Sequence, residues 1–234
     1  MTQSIFSLIV YQPVLNFVYW LYGICGNNLG LAIIVFTLVF RLALWPMFSK
    51  SEKIQKQLTS LQPELKKLQV EHKGNQEELT KAMLELYKKH NLSPSVTITV
   101  MAFSFFQIAA MFVFFSLFGA LVDIKQAGGV AALLYPAFQG ITLDTMFAGI
   151  NLASHSFILA VVSAITQGIQ MLFLSKKQTS QAAPKLNAMM MYFLPLITLA
   201  FYKNIYAILY LYWAVFSLVS ICQDWRLSHQ KEQK

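Results

Sequence analysis

Apolar residues run almost unbroken over 29–47, stop at Ser49 and Lys50, and give way to Ile54, Leu58, Leu61, Leu65 and Leu68 at spacings of three and four. The first pattern predicts a membrane span and the second an amphipathic helix with one apolar face. Leu79, Met83, Leu86 and Tyr87 mark a second amphipathic stretch, and "HKGN" at 72–75 supplies a glycine-bearing turn between the two. Residues 48–92 are therefore expected to form a helical hairpin, with Pro63 disturbing the first arm or starting a new helical turn. Pro46, near the end of span one, is tolerated by neighbouring groups or bends the helix. Further apolar runs predict span two over 96–117 and span three over 152–174, joined by a Gly- and Ala-richer outer connection over 118–151. Its "GGVAALLYPAFQGI" is open to being partly helical. A polar loop at 175–186 follows.

The apolar stretch 186–222 would be about 55 Å long as one helix, too long for a hydrocarbon layer of about 30 Å. "KN" at 203–204 is its one charged interruption, which divides it into span four (187–201) and span five (205–223), with a tail at 224–234. The opening 1–28 has a helical period interrupted by Gln12, Pro13 and Asn16, with Tyr19, Trp20 and Tyr22 where interfacial anchors sit. It lacks a basic leading region and a small-residue cleavage site and so does not read as a removable signal; a helix lying at the outer surface is favoured over an extra span. The fold class expected is an all-α polytopic membrane protein: five spans, a cytoplasmic helical hairpin and an N-terminal interfacial helix.

Composition agrees with the membrane reading. Of 234 residues 56% are hydrophobic and 12% charged, with mean hydropathy +0.53; soluble domains carry about 25% charged residues. The net charge of +8 changes the picture only through its placement. Nine lysines lie within 50–89, three within 176–185, and three basic residues follow Trp225. Clustering in alternate loops is the positive-inside pattern, with the N-terminus outside, the C-terminus cytoplasmic, and a cytoplasmic face attracted to anionic lipid. Cys25 and Cys222 are too few for a disulfide scaffold or metal site. No internal repeat points to an inverted-repeat transporter.

Candidate chemistry centres on Arg41, nine residues before Lys50 and with no charged residue preceding it. Nine helical residues are about 14 Å, which brings the guanidinium near mid-bilayer, where it costs at least about 2.5 kcal/mol. The predicted spans contain no Asp or Glu. They do contain Thr37, Ser104, Gln107, Ser163, Thr166, Gln167, Gln170, Thr198, Ser217 and Ser220. About half of the hydroxyls are expected only to bond their own backbone. Gln107, Gln167 and Gln170 either line a wet cavity with Arg41 or bond across a helix interface. The candidate groove set is Arg41, Thr37, Ser104, Gln107, Ser163, Thr166, Gln167, Gln170 and Ser217. Such a positive, wet site suits a transient anionic or polar guest. It does not suit hydrolysis, for no acid–base pair or oriented nucleophile lies in the spans. His72, His90, His155 and His229 have no metal-ligand spacing, and no phosphate-binding loop occurs. No enzyme activity, cofactor, metal or nucleotide is expected.

Three segments carry a resemblance: "NNLGLAIIVFTLVFRLALWPMFSKSEKIQKQLTSLQPELKKLQ" at 27–69, "AMLELYKKHNLSP" at 82–94, and "PKLNAMMMYFLPLITLAFYKNIYAILYLYWAVFSLVSICQ" at 184–223. With the weaker "FILAVVSAITQGIQMLFLSKK", they make the chain similar to the YidC/Oxa/Alb3 membrane protein insertases in their bacterial form, without the large outer domain or a lipoprotein-type N-terminus. The resemblance implies a five-span core working as a monomer, with a hydrophilic groove open to cytoplasm and lipid. The family's groove arginine falls on Arg41, its cytoplasmic hairpin on 49–91, and its apolar exit slide on 102–117 and 187–201. Implied partners are nascent membrane proteins, the ribosome and the Sec translocon, in the cell inner membrane. The chain departs from the family at "NLSPSVTITV", which shifts the proline of the span-two entry, at Gln107, which lacks the following proline, and at "YKNIYA", which replaces a Pro-x-Gly turn. From the residues alone, a small-solute channel or carrier and an assembly factor that inserts nothing are the competing functions. For the tail, a solvated end competes with ribosome contact.

Overall fold

The computed structural model describes residues 7–93, 96–122, 132–177, 193 and 195–229. Most of the expected loop 175–186, the first part of expected span four (187–192), the end of the tail (230–234) and the Ser104 side chain lie outside the described residues. A π-helical turn at Ser7–Tyr11 runs into α1 (Gln12–Ile24), followed by α2 (Leu29–Ala43), α3 (Trp45–Glu71), α4 (Gln76–Lys89) and α5 (Val96–Val122). A short hairpin, β1 (Met146–Phe147) and β2 (Ile150–Asn151), precedes α6 (Phe157–Lys177). Residues 195–200 are helical, Tyr202–Asn204 form a 3-10 turn, and α7 (Ala207–His229) ends the described chain. The fold is mainly helical, and the β1–β2 ribbon is its one departure from all-α among the described residues.

Among the described residues, length and composition single out 105–122 within α5 as able to cross a bilayer. Leu29–Ala43 reaches that length only together with Trp45–Ser51, as one broken span, and Phe157–Phe173 and Ala207–Gln223 are apolar but shorter. The expected span over 29–47 thus contains a break at Leu44, between the end of α2 and the start of α3. Pro46 lies in the first turn of α3, where its missing N–H removes no helical bond, whereas inside a continuous helix it would remove one and clash. Pro63, by contrast, is accommodated within α3, which continues to Glu71.

The chain divides into two compact units. The first comprises 1–43, 110–173 and 191–234. Its core joins Leu15 and Val18 of α1, Leu29 and Ile33 of α2, Leu117 and Phe118 of α5, and Ile208 and Tyr210 of α7. Phe36 meets Phe114 and Phe118 edge-on at 5.3 and 5.7 Å, and Tyr212 lies 5.2 Å from Phe118. In lipid, close packing and interhelical hydrogen bonds hold helices together because the tails are as apolar as leucine. Edge-to-face aromatic contacts supply such packing across α2, α5 and α7.

The described part of the connection between α5 and α6, residues 132–156, is bound down by side chains the sequence disguised. Asn16 donates from Nδ2 to the carbonyls of Gln12 (2.7 Å) and Leu133 (2.9 Å), while its Oδ1 accepts from the amide of Tyr135 (2.7 Å). Tyr22 accepts from the amide of Asp144 at 2.8 Å. Tyr19 and Tyr22 are buried, so neither anchors α1 at an interface; Trp20, half-exposed, is the residue of the three free to do so. The β1–β2 loop is Ala148–Gly149, both at positive φ, the geometry that a two-residue hairpin turn demands. The hairpin sets Phe147 against Gly30 of α2, where an added Cβ would fall inside the phenylalanine ring. Gly30→Ala is therefore expected to destabilise the first unit by about 1–3 kcal/mol through overpacking, read as a lowered midpoint of thermal unfolding in detergent. Phe147→Ala in the same chain should recover part of the loss by making room.

Leu152 and Ser154 then close the N-terminus of α7. Their carbonyls accept from the amides of Ile208 (3.1 Å) and Ala207 (2.7 Å), donors that no intrahelical carbonyl satisfies. Without a Pro-x-Gly turn at "YKNIYA", these backbone bonds fix the approach to α7.

The second unit comprises 44–109 and 174–190. Here α3 and α4 pack through Leu61, Tyr87 and Leu92, with Ile54, Leu58, Leu65 and Met83 around them. Asn75 caps α4 by accepting from the amide of Glu78. At the other end Asn91 adopts φ 54°. The amides of Asn91 and Leu92 return to the carbonyls of Lys88 and Tyr87, and Leu92 packs on Tyr87. This is a Schellman cap, with Asn in the left-handed position glycine usually takes. Phe48 and Phe103 meet edge-on at 5.2 Å in the same unit.

Candidate functional site

Arg41 occupies the last turn of α2, a helix with no other charged residue, and is 5% exposed. Thr37, one turn earlier on the same face, is fully buried and donates to the carbonyl of Ile33 at 2.7 Å. Its hydroxyl is thus occupied by its own helix, the ordinary role of threonine in a span. From α7, Ser220 Oγ accepts a hydrogen bond from Arg41 Nη2, and the Phe216 ring lies 4.3 Å from the guanidinium carbon. A cation over an aromatic face is attracted by the ring quadrupole, the more so away from water. Ser217, Ser220 and Gln223 follow one another at intervals of three on α7 and are all buried. Arg41 therefore faces a polar stripe on the apolar part of α7, Ala207–Gln223.

The other polar residues of the first unit form a second set. Gln167 of α6 donates from Nε2 to Ser163 Oγ (2.8 Å) and accepts at Oε1 from Thr198 Oγ1 (3.0 Å). Thr166 donates to the Ser163 carbonyl (2.9 Å), and Tyr210 of α7 donates to the Thr198 carbonyl (3.2 Å). Gln167 accordingly ties α6 to the helical residues 195–200, the cross-helix bonding that was the alternative to a wet cavity. Gln170 is half-buried. Ser104 and Gln107 lie on α5 in the second unit, with Gln107 exposed.

Ser220, Thr198 and Gln223 are the polar residues the candidate set omitted. The signal for two of them was present: Ser217, Ser220 and Gln223 at constant spacing mark one helical face. Thr198 gave none, since an isolated threonine in an apolar run is usually packing. Among the described residues no cluster of His, Cys, Asp or Glu could hold a metal ion.

The model of the family described as "60Kd inner membrane protein" matches residues 20–234. "Membrane protein insertase YidC" of Maridesulfovibrio salexigens is 31% identical over 204 residues, 86% of this chain and 35% of that protein. "Membrane protein insertase YidC 2" of Bacillus anthracis is 30% identical over 215 residues, covering 90% of this chain and 76% of its own length. The Rickettsia prowazekii protein of the former name is 26% identical over 223 residues, 94% of this chain and 39% of that one. The chain thus spans little more than a third of several relatives and three quarters of another. The match takes in Arg41, its α7 partners and both arms of the α3–α4 pair, and the chain belongs to the 60Kd inner membrane protein family, the YidC/Oxa/Alb3 family.

Proposed function

We propose that the chain is an inner-membrane insertase that moves short polar segments of nascent membrane proteins across the bilayer and releases their apolar spans into lipid. The observation that carries this reading is the burial of Arg41 in apolar α2, seated on the Ser220 hydroxyl and the Phe216 ring of α7. A guanidinium so placed attracts an acidic or polar segment, and the low dielectric around it strengthens that attraction. An unsatisfied peptide group costs several kcal/mol in hydrocarbon. A polar path reaching partway through the layer shortens the dry distance that a client segment must cross. The groove of this reading is lined by Arg41, Ser217 and the buried polar residues of α6. The chain works as a monomer, its N-terminus outside and its C-terminus in the cytoplasm, and it uses no cofactor or nucleotide. Five spans cross the membrane, the α3–α4 hairpin receives clients on the cytoplasmic side, and α1 lies at the outer surface.

Relatives named membrane protein insertases support the same reading. It is tested by incorporating the purified chain, with no other protein, into vesicles and supplying a single-span client. Protease-protected product above that of empty vesicles supports insertion. Product equal to empty vesicles refutes it, and release of a trapped small solute in its place favours a channel.

Ribosomes and the Sec translocon are the delivery partners of this reading, and anionic lipid holds the cytoplasmic face. The tail adds little to ribosome contact: Arg226, Lys231 and Lys234 are offset by Asp224 and Glu232. Three phosphate contacts give a salt slope of only about 2 to 3 in logarithmic terms. Replacing these three basic residues with serine is expected to leave co-sedimentation with translating ribosomes unchanged at physiological salt, and to weaken it only at low salt. A large loss at physiological salt would make the tail a principal ribosome contact.

A further inference from the structure

Gln223 is a buried polar side chain whose amide nitrogen finds no use within the described residues. It is 8% exposed, and its Nε2 has no hydrogen-bond partner among the described residues. A buried amide donor left so forfeits about 1–3 kcal/mol, and native structures hold few such groups. Gln223 lies three residues beyond Ser220, one helical turn along the face that meets Arg41. Two donors are thereby brought to one patch of α7, one charged and one neutral. A neutral amide donor discriminates little for carboxylates and is matched instead to a carbonyl oxygen. The groups that need such a donor inside a bilayer are the backbone carbonyls of an extended segment, which have no helix or sheet to satisfy them.

We propose that Gln223 is a client-binding residue that donates from Nε2 to a backbone carbonyl of the translocating segment. It serves clients whatever their charge, whereas Arg41 selects acidic ones. This rests on the insertase reading and extends it from charge attraction to recognition of the peptide group.

Gln223→Met tests it, since methionine keeps much the same length and removes both the donor and the acceptor. Removing a buried donor that no described residue satisfies leaves the variant at least as stable as the parent, while the lost hydrogen bond to the client lowers insertion. The expected result in vesicles is a midpoint of unfolding equal or higher, with insertion of a neutral-tailed client reduced about three- to tenfold. Gln223→Asn, which retains the amide on a shorter stem, recovers part of the rate. A client bearing one cysteine in its translocating segment should also form a disulfide with Gln223→Cys under mild oxidation. Insertion at the parental rate by Gln223→Met overturns the proposal, as does a lowered midpoint, which would mean that the amide serves the fold. If the parent chain itself inserts nothing, the insertase reading fails and this inference falls with it.

Discussion

Arg41→Ala is expected to reduce insertion of a client with an acidic translocated tail at least tenfold, and that of a neutral-tailed client only a few-fold. The reason is where the charge sits. A guanidinium 5% exposed on α2, against Ser220 and the Phe216 ring, interacts with an incoming carboxylate in a medium of low dielectric. At about 4 Å and an effective dielectric constant of 20, the gross attraction is about 4 kcal/mol. Even a third of that survives as about tenfold in rate. A neutral tail loses only a hydrogen-bond donor, about 1 kcal/mol. Arg41→Lys should fall between the two, because an ammonium keeps the charge but loses the planar fork and the ring stacking. Ser220→Ala should behave like a mild Arg41 variant, since it removes one group that orients the guanidinium. The comparison is made in vesicles, on protein whose unfolding midpoint has been measured. Equal loss for both clients, with a lowered midpoint, would make Arg41 a structural residue and end the attraction argument.

How far these sites were legible in the sequence depended on the range of the physics involved. Periodicity and capping act over one or two turns. The polar turn before Gln76, the αL cap after Lys89 and the interruption at Lys203 and Asn204 are all written locally. Arg41 was conspicuous because a lone charge in an apolar run is costly wherever it ends up. Long-range pins have no such local trace. Asn16 looked like a flaw in a helix, yet it holds a loop 117 positions away, and Tyr22 looked like an interfacial anchor, yet its hydroxyl binds one 122 positions away. The β1–β2 ribbon was missed because two-residue strands carry no periodic signal. Pro46 was open to two readings, tolerance by neighbouring groups or a bend, whereas the fold begins a new helix at Trp45 and uses the proline in its first turn. Gln167 shows the same limit from the other side. Its polarity was visible, but only the approach of Thr198 decides that its amide oxygen bonds across helices while its nitrogen turns back to Ser163 of its own helix.

Leu61→Asp should unfold the α3–α4 pair and leave the first unit intact. Leu61 is 2% exposed, and its cluster is small: Tyr87 and Leu92, with Ile54, Leu58, Leu65 and Met83 about them. Truncating such a leucine alone costs about 2–5 kcal/mol, and a carboxylate placed there adds the penalty of burying a charge with no partner. So small a cluster holds few kcal/mol in reserve, and the pair is expected to open as a local unit. Amides of α3 and α4 should then exchange with deuterium at least about thirtyfold faster, the equivalent of 2 kcal/mol, while those of α2 and α7 keep the parental rate. Ser60→Asp, one residue earlier and exposed, is the matched control and should change neither. On the proposed function, a hairpin that receives clients acts before the groove discriminates among them. Insertion should therefore fall by a similar factor for acidic and neutral tails, unlike the selective loss at Arg41. Unchanged exchange in α3 and α4 would mean that the pair is held by more than its apolar cluster. Accelerated exchange with undiminished insertion would remove the hairpin from client delivery.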